Sequence, residues 1–79
     1  MWIKYKCNNE VCFIDLTSIS YIRVIKHKEY TTFRCCDKYI DETFYDIAIS
    51  NAHNSDTILN YMLTCSSPMF DVTLYQEEE

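Results

Sequence analysis

The chain has 79 residues, 48% of them apolar and 15% aromatic, and its twelve carboxylates outnumber seven basic side chains to give a net charge of −5. A chain of this length forms one domain, here residues 1–79, with a small core. It contains no glycine, which excludes a dinucleotide-binding loop, a P-loop and a nucleophile elbow, because each needs a backbone without a Cβ.

Alternation of apolar and polar residues predicts four strands in the first half of the chain, at residues 3–7, 12–16, 19–26 and 30–36. Asn8 and Asn9 supply the first turn, because asparagine tolerates a positive φ. Residues 27–29 are polar and supply the turn between the third and fourth strands. We therefore expect two antiparallel hairpins.

The second half of the chain predicts two more strands and one helix. Residues 44–49 alternate as a fifth strand, and Asn54 or Ser55 is the N-cap of a helix that Pro68 ends. Residues 69–76 predict a last strand, followed by a flexible acidic tail at 77–79. The predicted fold is α+β, a mostly antiparallel sheet of five or six strands with one helix packed on one face.

Five cysteines and two histidines are the candidate metal ligands and nucleophiles. Adjacent residues on a strand point to opposite faces, so Cys35 and Cys36 cannot easily share an ion. No spacing selects a Cys-His pair for catalysis, and a disulfide between Cys7 and Cys12 would need the hairpin to set them opposite one another. We therefore predict no enzyme activity, no metal and no cofactor.

The cysteines also bear on location. Their number is odd and no apolar leader or membrane-length apolar run is present, so we expect reduced thiols in a cytoplasmic protein. No membrane partner is expected.

Charge is divided along the chain. All seven basic residues lie in the first 38 positions, which carry about +3, whereas the last 41 positions carry eight carboxylates and no base. If the last two strands are neighbours, their carboxylates can imitate a phosphate backbone and occupy a basic groove of a partner protein. The residues predicted to make that contact are Asp41, Glu42, Asp46, Asp71, Glu77 and Glu78, with Tyr39 and Tyr75 as aromatic anchors.

In its small size, acidity and lack of catalytic motifs, the chain resembles virus- or mobile-element-encoded inhibitors such as anti-CRISPR and anti-restriction proteins. The resemblance implies a non-enzymatic inhibitor that blocks a basic, nucleic-acid-handling protein. Direct nucleic-acid binding is not expected, because the net charge is negative.

Two alternatives remain open. One is a structural or regulatory module that binds another protein through an open sheet face, which bears exposed aromatic residues such as Trp2, Tyr21 and Tyr30. This module can also be a homodimer formed by pairing of strand edges. The other concerns the charge itself, since the basic part of the chain can fold against the acidic part and leave little charge for a partner.

Overall fold

The computed structural model describes residues 1–76, which form six strands, one α-helix and two short 3₁₀ turns. The strands are β1 (Trp2–Cys7), β2 (Glu10–Asp15), β3 (Ile19–Lys26), β4 (Tyr30–Asp37), β5 (Phe44–Ser50) and β6 (Met69–Asp71). The helix is α1 (Ser55–Thr64), and the 3₁₀ turns are Leu16–Ser18 and Thr73–Tyr75. The α+β class agrees with the sequence, while the predicted tail at 77–79 lies outside the described residues.

The strands form two sheets of three, which corrects the predicted single sheet of five or six strands. The first sheet has the order β2-β1-β6 and the second has the order β3-β4-β5. The chain changes sheet at Leu16–Ser18, where the Asp15 carboxylate accepts the N–H of Thr17 at 3.0 Å and caps a 3₁₀ turn. A hairpin therefore does not form between β2 and β3.

The last strand also differs from the sequence prediction of residues 69–76. Only Met69–Asp71 are extended, and they run parallel to β1. Asp71 ends the strand because its carboxylate accepts the N–H of Thr73 at 3.0 Å and the Thr73 hydroxyl, which favours the turn that follows.

Beyond this turn, Gln76 takes the place of a strand beside β1. Its Oε1 accepts the Lys6 N–H at 2.8 Å and its Nε2 donates to the Lys6 carbonyl at 3.0 Å. One side-chain amide thus completes two backbone hydrogen bonds that a longer β6 would have supplied.

The first hairpin forms as predicted, with Asn8 and Asn9 at φ 52° and 64°. In its register Cys7 faces Glu10 and Cys12 faces Tyr5. The two cysteines are therefore not opposite, which removes the geometric basis for a disulfide between them.

The inner faces of both sheets and one face of α1 share a single core. Its fully buried side chains are Ile3, Phe33, Cys35, Ile47, Ile49, Met62 and Val72. Phe33 lies at the centre of the second sheet and Ile3 at the centre of the first. Burial raises the pKa of the Cys35 thiol to about 12, so this cysteine is a protonated packing residue.

No helix in residues 1–76 has both the length and the hydropathy needed to cross a bilayer.

Candidate functional site: a mixed-charge cleft on the second sheet

Ion pairs in the fold join the two differently charged parts of the sequence. Within residues 1–76, three of them connect a base from the first 38 positions to a carboxylate from the last 41: Lys4 with Asp71 at 4.0 Å, Lys26 with Asp56 at 3.8 Å, and Arg34 with Asp46 at 2.9 Å. Much of the charge that is separated along the chain is therefore paired in space.

The predicted acidic contact region is divided between the two sheets. It required the last two strands to be neighbours, but β5, which carries Asp46, lies in the second sheet and β6, which carries Asp71, lies in the first. Hydrogen bonds from Thr73 lower the pKa of Asp71, which Lys4 lowers further. Glu77 and Glu78 lie outside the described residues.

The two predicted tyrosine anchors have different surroundings. Tyr39 is 75% exposed, and its ring lies 5.9 Å from the Lys38 ammonium. Tyr75 is partly buried, because its ring packs edge-on against His53 at 5.5 Å and stacks on Phe70 at 6.3 Å. Only Tyr39 is presented to solvent as an anchor should be.

Asp41 and Glu42 line a cleft of about 380 Å³ on the outer face of the second sheet, beside the loop that joins β4 to β5. The strand register sets two rows of side chains across this face. The first row is Tyr21, Cys36 and Phe44, and the second row is Arg23, Arg34 and Asp46. We call this region the mixed-charge cleft.

The two arginines of the cleft lie directly opposite each other but differ in their partners. Arg34 donates from Nε and Nη2 to the two carboxylate oxygens of Asp46 at 2.9 and 3.1 Å, and its guanidinium lies 4.1 Å from the Phe44 ring. The hydrogen bond to Asp46 raises the pKa of Arg34. Arg23 is exposed and has no ion pair within residues 1–76, so it is the guanidinium available to a ligand.

The loop beside the cleft is held by Asp37. Its carboxylate accepts the N–H groups of Tyr39 and Ile40 at 2.7 and 3.0 Å and the Tyr45 hydroxyl at 3.0 Å. These hydrogen bonds, the two from the backbone first, lower the pKa of Asp37. The carboxylate thus fixes the start of the loop that carries Asp41.

Glu42 adopts a left-handed conformation, with φ 63°. This conformation is unfavourable for a residue with a Cβ other than asparagine or aspartate, and such strain concentrates at functional sites. Asp41 and Glu42 are both exposed, and neither has an ion pair within residues 1–76. The loop therefore presents two available carboxylates at the rim of the cleft.

Two aromatic rings complete the site, Tyr21 with 57% and Phe44 with 49% of its surface exposed. A hydrogen bond with the Cys36 thiol is the largest cause of a raised pKa at Tyr21. Sequence reasoning missed Arg23, Arg34 and Phe44 as site residues. The turn at 27–29 was a usable signal for the first two, because a hairpin closed there sets Arg23 opposite Arg34.

Each of the two histidines contacts a tyrosine ring. His27 stacks on Tyr30 at 4.4 Å and His53 contacts Tyr75. In the part of the chain that is described, no group of three cysteine, histidine or acidic side chains is close enough to hold a metal ion. The cleft presents two aromatic rings, the Arg23 guanidinium and the carboxylates of Asp41 and Glu42.

Fold and site define an α+β domain with two three-stranded sheets and a mixed-charge surface cleft. Comparison with known proteins finds no family model, no curated sequence and no solved structure that matches the chain.

Proposed function

We propose that this protein is a non-enzymatic protein-binding module that engages a partner protein through the mixed-charge cleft. One observation carries the proposal: the exposed side chains of Tyr21, Phe44 and Arg23 line the same cleft. The neighbouring Arg34 is already paired with Asp46. Tyrosine and arginine are the residue types most enriched among those that dominate interface energies. The proposed partner is a protein, and neither a nucleic acid nor a membrane.

The internal ion pairs support this choice over a contact made by the whole acidic part of the chain. Asp46 and Asp71 each have a basic partner within the fold, so neither is available without breaking that pair. A cleft that offers both charge signs suits a partner with its own mixed charge, because complementary pairs give specificity and orientation.

A second candidate is the inhibitor that blocks a basic, nucleic-acid-handling protein by carboxylate mimicry of phosphates. Asp41 and Glu42 favour it, because they are adjacent and exposed and have no ion pair with any of the described residues. Under this candidate the contact depends on charge alone, so the complex weakens steeply as salt rises past physiological strength.

The test uses two phenylalanines in matched environments. Phe44 in the cleft is 49% exposed, and Phe13 on the outer face of the first sheet is 51% exposed. Partners are captured from host lysate on wild-type protein, Phe44→Ala and Phe13→Ala, each first shown to be folded by circular dichroism. We expect Phe44→Ala to weaken capture of the specific partner about tenfold, which corresponds to roughly 1.4 kcal/mol, and Phe13→Ala to leave it unchanged.

Loss of the partner from Phe13→Ala but not Phe44→Ala would move the interface to the first sheet and contradict the proposal. Two further captures separate the candidates. One uses wild-type protein at high salt, and the other uses an Asp41→Asn, Glu42→Gln double variant at ordinary salt. Mimicry predicts that either treatment alone abolishes binding, whereas the protein-binding module retains a partner held by its aromatic contacts.

A further inference from the structure

The mixed-charge cleft contains two arginines that face each other across neighbouring strands. Arg23 of β3 lies directly opposite Arg34 of β4, which sets their Cβ atoms about 5 Å apart. Both side chains line the cleft, and a guanidinium keeps its charge at every physiological pH. Like charges placed directly opposite each other destabilise a sheet. The pair therefore needs negative charge close by.

The fold supplies this charge to only one of the two arginines. Asp46 lies on the far side of Arg34 from Arg23 and accepts from its Nε and Nη2 at 2.9 and 3.1 Å. Arg23 has no strand on its own far side to carry an equivalent acid, because β3 is the last strand of the second sheet. Among the described residues, Arg23 has no ion pair. One guanidinium of the pair is compensated and the other is not.

The carboxylates of the cleft itself do not compensate Arg23. Asp37 accepts two backbone N–H groups and fixes the start of the loop. Asp41 and Glu42 line the cleft, but neither lies within ion-pair distance of a described base. Lys38 lines the cleft as well and adds a further positive charge. The repulsion between the two arginines is thus left for a ligand to relieve.

The same two arginines hold the hydrogen-bond donors that such a ligand needs. A guanidinium has five N–H groups in a planar fork. Arg34 uses Nε and Nη2 for Asp46, and its Nη1 donates to none of the described residues. The whole guanidinium of Arg23 is equally unoccupied. An acceptor with two oxygen atoms can bind to this set, because a carboxylate matches the fork of a guanidinium.

We infer that a carboxylate of the partner protein, from a side chain or a chain terminus, binds Arg23 and the free Nη1 of Arg34 in the mixed-charge cleft. Two guanidiniums and the Asp46 carboxylate leave one positive charge, which one carboxylate neutralises. A phosphoryl group carries about −1.5 to −2 and would leave excess negative charge near Asp41 and Glu42. The inference rests on the proposed function, because it names the group that the partner presents to the cleft.

Nuclear magnetic resonance tests the site on the full chain without a partner. The sequence contains two arginines, so the ¹⁵N-labelled protein has two Nε–H signals, which Arg23→Gln assigns. Sodium acetate then replaces sodium chloride at constant ionic strength. We expect the Arg23 signal to shift along a saturating curve and the Arg34 signal, already bonded to Asp46, to shift less. A linear shift, or none, at Arg23 would overturn the inference.

Inorganic phosphate is the second probe, at the same pH and ionic strength. We expect it to bind more weakly than acetate, because its larger charge meets the two loop carboxylates. Tighter binding of phosphate at Arg23 would assign the site to a phosphoryl group and contradict the inference.

The free energy of the unbound protein gives an independent test. Arg23→Gln should keep the wild-type urea midpoint or raise it, because it removes the repulsion with Arg34. Arg34→Gln should lower the midpoint, because it leaves Asp46 without its partner. A lower midpoint for Arg23→Gln would make Arg23 a structural residue and overturn the inference.

Partner capture connects the site to the proposed function. Arg23→Gln should weaken capture about tenfold, as expected for the loss of a charge-assisted hydrogen bond. Lys28→Gln is the control, because it changes the net charge equally at an exposed residue of the turn outside the cleft, and it should bind as the wild type does. If Phe44→Ala weakens capture and Arg23→Gln does not, the protein-binding module stands and the inference is wrong. If neither variant weakens capture, the proposed function fails and the inference fails with it.

Discussion

The two sheets have three strands each but differ in how their strands are connected along the chain. In the second sheet, β3, β4 and β5 follow one another along the chain, and each pairs with the next. In the first sheet, β1 pairs with β2 through a two-residue turn but also with β6, which lies more than sixty residues away. The two sheets share one core, so this core joins a unit paired between consecutive strands to a unit that depends on contacts between distant parts of the chain.

The largest effect is expected from a variant that truncates the buried side chain at the centre of the second sheet. Phe33→Ala deletes a fully buried ring and should reduce the free energy of unfolding by about 3–5 kcal/mol. The change should also lower the denaturant midpoint reported by the fluorescence of Trp2, the single tryptophan, which lies in the first sheet, because the sheets share one core.

Ile3→Ala is the reciprocal variant, since Ile3 is the fully buried residue at the centre of the first sheet. It should cost about 2–5 kcal/mol and shift the circular dichroism and fluorescence transitions together. If Phe33→Ala shifts the dichroism of the chain but leaves the Trp2 transition in place, the two sheets are independent units.

A smaller effect should be confined to the first sheet. Gln76→Ala removes both hydrogen bonds to the Lys6 backbone, and we expect a loss of about 1 kcal/mol together with faster exchange of the Lys6 amide. Asn51→Ala is the control in the second sheet, where the side chain donates to the Lys28 carbonyl at 2.8 Å. Unchanged exchange at Lys6 in Gln76→Ala would mean that Gln76 does not support β1.

The smallest expected effect is on the stability of the protein at acid pH, through Asp37 at the end of β4. Because the pKa of Asp37 is lowered in the fold by its backbone hydrogen bonds, its contribution is complete above the unfolded-state value of about 3.9 and is lost as pH falls through the lower folded-state value. Asp37→Asn should therefore flatten the fall in stability below about pH 4, measured as the urea midpoint against pH. Equal slopes for wild type and Asp37→Asn would refute this role.

Sequence periodicity predicted the local structure well and the long-range structure poorly. The alternation along residues 30–36 places Thr31, Phe33 and Cys35 on one face of β4, and all three are buried. The N-cap at Asn54 is present, accepting the Thr57 N–H at 3.2 Å. Nothing in the period of residues 69–76 indicates a parallel partner at β1, because register with a distant strand depends on the whole core and not on the strand's own pattern.

The candidate site was predictable only where it depends on local sequence. Asp41 and Glu42 are visible as an acidic loop, and the hairpin around residues 27–29 contains the information that brings Arg23 to Arg34. The pairing of Asp46 with Arg34 depends on β5 lying against β4 in one register, and the division of Asp46 from Asp71 depends on the change of sheet at Leu16–Ser18. No short stretch of sequence contains this information, because it depends on how strands from different parts of the chain are arranged in the sheets.

The parallel pairing of Trp2–Lys4 with Met69–Asp71 also has a consequence during synthesis. The second sheet can begin to form on the ribosome as soon as β5 emerges, because each of its strands pairs with the next along the chain. Strand β1 is synthesised before β6, so the edge of β1 that pairs with β6 has no partner until β6 has emerged. In that interval the free edge of an apolar strand is open to chaperones and to misassembly.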